Sequence, residues 1–242
     1  MTKIRLQVAL AKAGVASRRA AALIIQSGRV TVNGELVSEK GFRVEITKDK
    51  IAVDESPVIF RERKLYYMLN KPVGILSTVK DERGRQKVTD FVGNERARLY
   101  PIGRLDKDSS GLIILTNDGD LTYRLTHPRF GIERVYEVKV SGALEKKDLA
   151  RLRSGVVIEG KLAKAEKVLW RKGTRRFTVV LISLREGRKR EVRKMFGALE
   201  KGVITLKRVS YGTLRLGSLR QGIARPLTSS EITMLKRSVG LK

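Results

Sequence analysis

Within residues 103–119, GRLDKDSSGLIILTNDG, a carboxylate, Asp106, stands two residues after a guanidinium, Arg104. On an extended segment, residues two apart face the same way, so both side chains can enter one pocket. An ionised carboxylate in such a pocket can serve as nucleophile or as base. The same two residues could instead be a structural ion pair in a charged turn before a strand. The stretch also overlays a calcium-loop template, with Asp106, Asp108, Ser110, Gly111, Ile113 and Asn117 at six of its positions. That template fails where it matters. Its last position needs a bidentate Glu and holds Asn117, and Ile114 offers no side-chain oxygen. The strongly basic surroundings oppose a cation, and no metal is expected.

The rest of the composition narrows the chemistry. There is no cysteine, which excludes thiol nucleophiles, disulfides and zinc–thiolate sites. The single histidine, His127, precedes Pro128 and reads as a loop residue rather than a triad base. Catalysis would therefore rest on Asp, Glu, Lys, Tyr or Arg. A net charge of +27, spread along 242 residues, points to a polyanionic partner, nucleic acid first. The start, MTKIRLQVALAKAG, lacks the apolar run of a signal sequence, and no membrane-spanning run follows. A cytoplasmic protein with no membrane partner is expected.

Two basic clusters stand out. Six Lys or Arg and no acid precede Glu35. Arg18 and Arg19 fall in the first turn of a predicted helix, where cations oppose the helix dipole, and this suggests a surface meant for phosphate. Between Arg171 and Lys194, ten Lys or Arg face two Glu. Arg188, Lys189 and Arg190 lie beside Gly187, at the opening of a helix with Arg193 one turn on, and suit a phosphate or substrate contact. In both places the alternative is a solvated charged face.

The elements that would position these groups fall into two sets. Residues 1–62 read as a small unit: a helix over Ile4–Ala13 ended by Gly14, a second helix RRAAALIIQ capped by Ser17 and closed by Gly28, and a hairpin turning at Asn33-Gly34. Short strands are expected over Arg43–Ile46 and Lys50–Val53, and a linker near Arg61–Lys64. Residues 63–242 read as strands with intervening helices. Two strands flank the turn Lys71-Pro72-Val73-Gly74, and LIILT is a buried strand. A helix starts near Asp118 and stops at Pro128, ERVYEVKV alternates as a strand, and EKKDLARLRSG is a helix. AEKVLW, FTVVLISL and KGVITLKRVSYG are further strands, and TSSEITMLKRSV is a capped terminal helix. Few clean βαβ units occur, so the class is α+β: a small helix-rich N-terminal domain, then a larger mixed, mainly antiparallel sheet with flanking helices.

The first unit resembles the small RNA-binding domain first seen in a small-subunit ribosomal protein, through Leu6–Gly14, Ser17-Arg18-Arg19 and GRVTVNG. That resemblance implies RNA contacts at Arg5, Lys12, Ser17, Arg18, Arg19 and Arg29. NKPVGILST, YPIGRLDKDSSGLIILTNDG, ERVYEVKV and LREGRKREVRKMF, in this order, resemble the RsuA-like and RluB-like rRNA pseudouridine synthases over nearly the whole chain. KREVRKM in place of a His-Gln form favours the RluB-like branch. Ser109 stands where the family often has Thr or Cys, a conservative departure. The resemblance implies the pseudouridine synthase fold and isomerisation of a uridine in ribosomal RNA, with no cofactor, by a monomer. It makes Asp106 the essential aspartate, Tyr136 the residue packing on the target base, and Arg193 the basic partner of the aspartate. Arg104 would help hold the RNA with the base flipped out, with Arg188 and Arg190 as further substrate contacts. The target would lie in large-subunit 23S rRNA, or in 16S rRNA. A non-catalytic RNA-binding or ribosome-assembly protein would explain the charge and the first unit but not Arg104 and Asp106 in a buried strand context. A DNA-binding regulator would need a reading helix, and none is visible beyond the N-terminal helix pair.

Overall fold

The computed structural model describes residues 3–60, 64–93 and 98–241. The chain divides into two compact units; the first runs to Leu65 and the second holds most of the remainder. The expected linker near Arg61–Lys64 and the expected boundary at residues 62/63 fall, apart from Lys64, outside the described residues.

The first unit opens with β1 (Ile4–Arg5) and not with helix. Ile4 pairs with Val44 and Arg5 with Arg43 of β4 (Arg43–Val44), so α1 begins only at Leu6 and runs to Lys12. The expectation of one helix from Ile4 is corrected: tertiary pairing overrode a helical spacing of apolar residues. The second helix, α2 (Arg18–Gln26), has the expected cap, with the Ser17 hydroxyl accepting from the Ala20 N–H at 3.1 Å. Strands β2 (Val30–Val32) and β3 (Glu35–Leu36) form the hairpin, turning on Asn33 and Gly34 at φ 55° and 89°, as an Asn-Gly turn requires. The sheet is completed by β5 (Ile51–Val53) and β6 (Ser56–Pro57) in the order β3-β2-β5-β6. Its core is Leu6, Leu10, Ile25, Val30, Val44 and neighbours.

The second unit carries a nine-stranded sheet. Its strands are β7 (Tyr66–Lys71), β8 (Tyr100–Ile102), β9 (Ser110–Thr116), β10 (Arg134–Ser141), β13 (Lys167–Gly173), β14 (Phe177–Leu184), β15 (Val203–Tyr211), β16 (Leu214–Arg215) and β17 (Ala224–Pro226). The main order is β13-β14-β10-β15-β9-β7-β17, with β16 on β15 and β8 on β9. A side hairpin, β11 (Val156–Ile158) with β12 (Lys161–Ala163), turns on Glu159 and Gly160. Helices α3 (Gly119–Thr126), α4 (Lys146–Ser154), α5 (Glu191–Gly197) and α6 (Ser229–Arg237) flank the sheet. The expected strand after the Lys71–Gly74 turn is reduced to one bridge between Leu76 and Lys87.

Strand β9 explains why LIILT shows no alternation. Leu112 and Ile114 enter the core formed with α3 and α6, while Ile113 and Leu115 enter a second core with Leu69, Ile75, Val88 and Leu105. A strand covered on both faces is apolar throughout. The pairing of β9 with β15 is the sheet's one parallel pairing among the described strands, and it sets Gly111 beside Arg208. A Cβ on Gly111 would stand 2.3 Å from the Arg208 carbonyl oxygen, and its φ is 104°. Only glycine meets both conditions. Gly111→Ala should therefore destabilise the second unit by on the order of 3 kcal/mol or more, from steric displacement plus backbone strain. Equilibrium denaturation of the variant checks this; stability equal to wild type would mean that the two strands can separate freely at this point.

Candidate active site

Loop 103–109 joins β8 to β9, and its shape comes from one buried residue. Leu105 is in the core, and both of its main-chain groups are held by Ser77, whose hydroxyl donates to the Leu105 carbonyl at 2.8 Å and accepts from its N–H at 3.1 Å. With Leu105 turned inward, Arg104 and Asp106 on either side of it turn to a cavity of about 590 Å³ that both line. The Gly74 N–H also donates to the Lys107 carbonyl at 2.7 Å, so the Lys71–Gly74 turn fixes the far side of the loop. The segment carrying Arg104 and Asp106 is a loop and not a strand, and their common direction comes from the Leu105 anchor.

The cavity is also lined by Ser109, Tyr136, Arg188, Arg190, Glu191 and Arg208. Tyr136 on β10 sits opposite Arg208 on β15, which in turn sits beside Gly111. These three neighbours cross the sheet in one row. Arg134 braces the wall, donating to the carbonyls of Arg185 at 3.0 Å, Glu186 at 3.1 Å and Leu125 at 3.3 Å. Asp106 is half-buried and makes no ion pair among the described residues.

The expected partnership of Arg193 with Asp106 is corrected. Arg193 lies with its Nε 3.2 Å from the Asp108 carboxylate, and donates to the Asp108 carbonyl at 2.9 Å and the Val203 carbonyl at 3.1 Å. Arg190 binds the same carboxylate at 3.1 and 3.3 Å. The turn at Lys107-Asp108 carries Asp108 toward α5, so it meets these guanidiniums instead. Burial alone would raise the Asp108 carboxyl, but the Arg190 hydrogen bonds and the charge of Arg193 outweigh it and hold it below the usual range. The third position of the calcium template is thus occupied in an ion-pair network. Among the described residues no group of three or more His, Cys, Asp or Glu could hold a metal.

Three groups here were not singled out from sequence. Arg208 is 2% exposed; its Nε donates to the Leu112 carbonyl at 2.7 Å, its guanidinium lies 4.9 Å from the Tyr211 ring centroid, and one terminal nitrogen has no partner. The alternation of LKRVSY, with Leu206, Arg208 and Ser210 all buried, carried that signal. Glu191, the first residue of α5, is buried; burial raises its pKa, against the Arg188 N–H that donates to it at 3.1 Å. Lys71 is fully buried, and its amine donates to the carbonyls of Pro72 and Ile75, each at 2.9 Å. A neutral amine has two N–H groups, matching these two acceptors.

In the first unit Arg5, Arg18 and Arg19 are exposed. Ser17 is committed to its cap. Arg29 is bonded through Nε to Asp54 at 2.8 Å, with a second contact between the same two groups. The acid-free run of sequence thus acquires an acid in space, at Arg29.

Burial draws the Lys71 amine from 10.5 down to about 8, with Asp106 and Asp108 acting against the shift and Arg208 adding to it. Between about 8 and 10.5 the folded protein has released this proton and the unfolded chain still holds it. Stability contributed at this site therefore rises with pH across that window, and the full penalty applies below it. Relative to Lys71→Met, the wild type should gain on the order of 3 kcal/mol from the lower to the upper end of the window. Denaturation of both proteins along a pH series checks this; a constant difference would show an amine that stays charged.

Comparison with known proteins agrees with this architecture. A family model for RNA pseudouridylate synthase matches residues 65–198, and one for the S4 domain matches residues 4–51. The chain is 44% identical to the ribosomal large subunit pseudouridine synthase B of Bacillus subtilis (strain 168), over 96% of this chain and 95% of the relative. It is 38% identical to an uncharacterized RNA pseudouridine synthase of Aquifex aeolicus, over 100% of this chain and 97% of that one. A crystal structure of a pseudouridylate synthase superposes with a TM-score of 0.68 at 30% identity, covering 96% of this chain and 99% of the other. The loop bearing Asp106, its sheet and the small unit before it are therefore those of the RNA pseudouridylate synthase family, to whose RsuA- and RluB-like members this chain belongs.

Proposed function

We propose that the protein isomerises one specific uridine of large-subunit 23S ribosomal RNA to pseudouridine, acting as a monomer in the cytoplasm. The observation that carries this reading is Asp106, a carboxylate without an ion-pair partner among the described residues, in a cavity whose lining includes six arginines and Tyr136. The large-subunit relative, similar over nearly its full length, supports the choice of RNA.

In this reaction the N1–C1′ bond breaks with its electrons leaving on the uracil. The base turns, C5 bonds to C1′, and the C5 proton is exchanged for one on N1. Atoms and oxidation state are conserved, so the chemistry calls for no redox or group-transfer cofactor. Asp106 acts as nucleophile or base, and must be ionised for either. The target base has to leave its stack at a cost of a few kcal/mol. Tyr136, ring toward the cavity, offsets about 1–3 kcal/mol by stacking. Arg104, Arg188 and Arg190 supply cations for the flanking phosphates, and Arg193 positions the loop through Asp108. The S4 unit, with boundary at residues 62/63, anchors the rRNA through Arg5, Lys12, Arg18 and Arg19, with Ser17 and Arg29 shaping that surface.

Asp106→Asn keeps size and fold but removes the charge. It should bind 23S rRNA as tightly as wild type and make no detectable pseudouridine; binding and product are measured on one preparation, with 16S rRNA alongside. Normal product from this variant would remove Asp106 from the mechanism, and product only in 16S would reassign the substrate. Tyr136→Ala should lower turnover by roughly ten- to a hundredfold, the scale of one lost base stack, whereas Tyr136→Phe should stay near wild type because the ring face is kept. Equal rates for the alanine variant and wild type at saturating RNA would rule out the platform.

A further inference from the structure

The segment Tyr123–Phe130 carries an aromatic and cationic cluster that the proposed chemistry does not use. Tyr123 and His127, one helical turn apart, have ring centroids 5.1 Å apart. Phe130 sets its ring at 83° to both, 6.1 Å from Tyr123 and 6.4 Å from His127. The Arg129 guanidinium lies 4.6 Å from the Phe130 centroid and 5.4 Å from that of Tyr123, and Arg124 lies 5.7 Å from Phe130. The chain has six Tyr, six Phe and a single His, so this gathering is conspicuous in a protein that is 5% aromatic.

Packing does not account for it. Leu121 and Leu125 fill the core under α3, and Phe130 only flanks that core. Tyr123 is 48% exposed, and His127 and Arg129 are exposed as well. No carboxylate pairs with Arg124 or Arg129 among the described residues. The segment is nevertheless braced by hydrogen bonds. The His127 Nδ1 accepts from the Arg129 N–H at 3.3 Å, Gly131 closes the turn in the left-handed region, and Arg124 donates to the Val239 and Gly240 carbonyls at 2.8 and 3.2 Å. Thr126 and Pro128, from the same segment, line the cavity that holds Asp106. A fixed surface of ring faces and guanidinium planes, with excess positive charge, fits unpaired nucleobases and their phosphates.

We propose that Tyr123, His127, Arg129 and Phe130 form a stacking subsite for an unpaired nucleotide adjacent to the target uridine, holding it once the target has left the stack. This rests on the pseudouridine synthase reading above. The test uses the full chain and in vitro transcribed 23S rRNA to map the modified uridine, then a hairpin of that region with 2-aminopurine placed at each flanking position in turn. Wild type should quench the probe at one flanking position. Tyr123→Ala and Arg129→Gln should lose that quenching and raise the half-saturating RNA concentration roughly 5- to 150-fold, the range of one base stack. Their single-turnover rates at saturating RNA should stay within about twofold of wild type, the loss being one of binding and not of chemistry. Tyr123→Phe should restore both readouts.

Unchanged quenching and unchanged half-saturation in both variants would overturn the subsite, as would a loss confined to the saturated rate. So would loss of unfolding cooperativity in both variants together with failure of Tyr123→Phe to restore binding. Absence of pseudouridine in the wild-type reaction would instead overturn the underlying reading, so the two failures are distinguishable.

Discussion

The catalytic unit depends on one close approach, the backbone of Gly111 against that of Arg208. A side chain on Gly111 would collide with the partner strand at 2.3 Å. Because this glycine is the second residue of β9, the approach also sets where the preceding loop leaves the sheet, and hence where Asp106 stands. On the other side of β15, Arg208 faces Tyr136. Carboxylate loop, buried guanidinium and aromatic ring are thus indexed to a single row of sheet register. A shift by one residue would turn Arg208 and Tyr136 to the opposite faces and leave the cavity without either.

Electrostatics then decides which of two neighbouring aspartates remains available. Asp106 and Asp108 lie in the same loop among many cations. Asp108, carried outward by the turn, takes up Arg190 and Arg193. Asp106, held inward by Leu105, keeps no such partner among the described residues. A carboxylate in a bidentate arginine pair is a weak nucleophile and a weak base, because each lone pair in a hydrogen bond must be released first. Asp108 therefore has a physical role in the proposed reaction: it absorbs guanidiniums that would otherwise quench its neighbour.

What was legible in the sequence was local. Ser17 with the helix after it, the Asn33-Gly34 hairpin, the doubly buried LIILT and the alternating ERVYEVKV follow from capping, turn chemistry and period, and each takes its expected form. The misreadings are non-local. Ile4 joins a strand because Val44 is there to pair with it. Arg29 finds Asp54, twenty-five positions away in sequence. Arg193 meets Asp108 because a two-residue turn rotates the loop, and nothing in the spacing of GRLDKDSSG reports that rotation. Lys71 reads as a turn residue and Arg208 as part of a basic run. Their burial emerges only when β7, β9 and β15 are laid side by side, although the alternation in LKRVSY already placed Arg208 on the inner face.

These features bear on the energetics of taking a base out of RNA. Eviction costs a few kcal/mol, and a cavity of about 590 Å³ can touch little more than the evicted nucleotide. In the proposed reaction, stacking on Tyr136 would recover an amount comparable to the eviction cost, which leaves almost nothing for holding the complex together. Net affinity must therefore come from surface outside the cavity. A chain with a net charge of +27 supplies it in a form that is strong at low salt and indifferent to sequence. Charge alone cannot select one uridine among many. Selection has to come from rigid, shaped contacts near the rim, where a neighbouring nucleotide either fits or does not, and binding energy realised only by the correct site can then be spent on opening the stack.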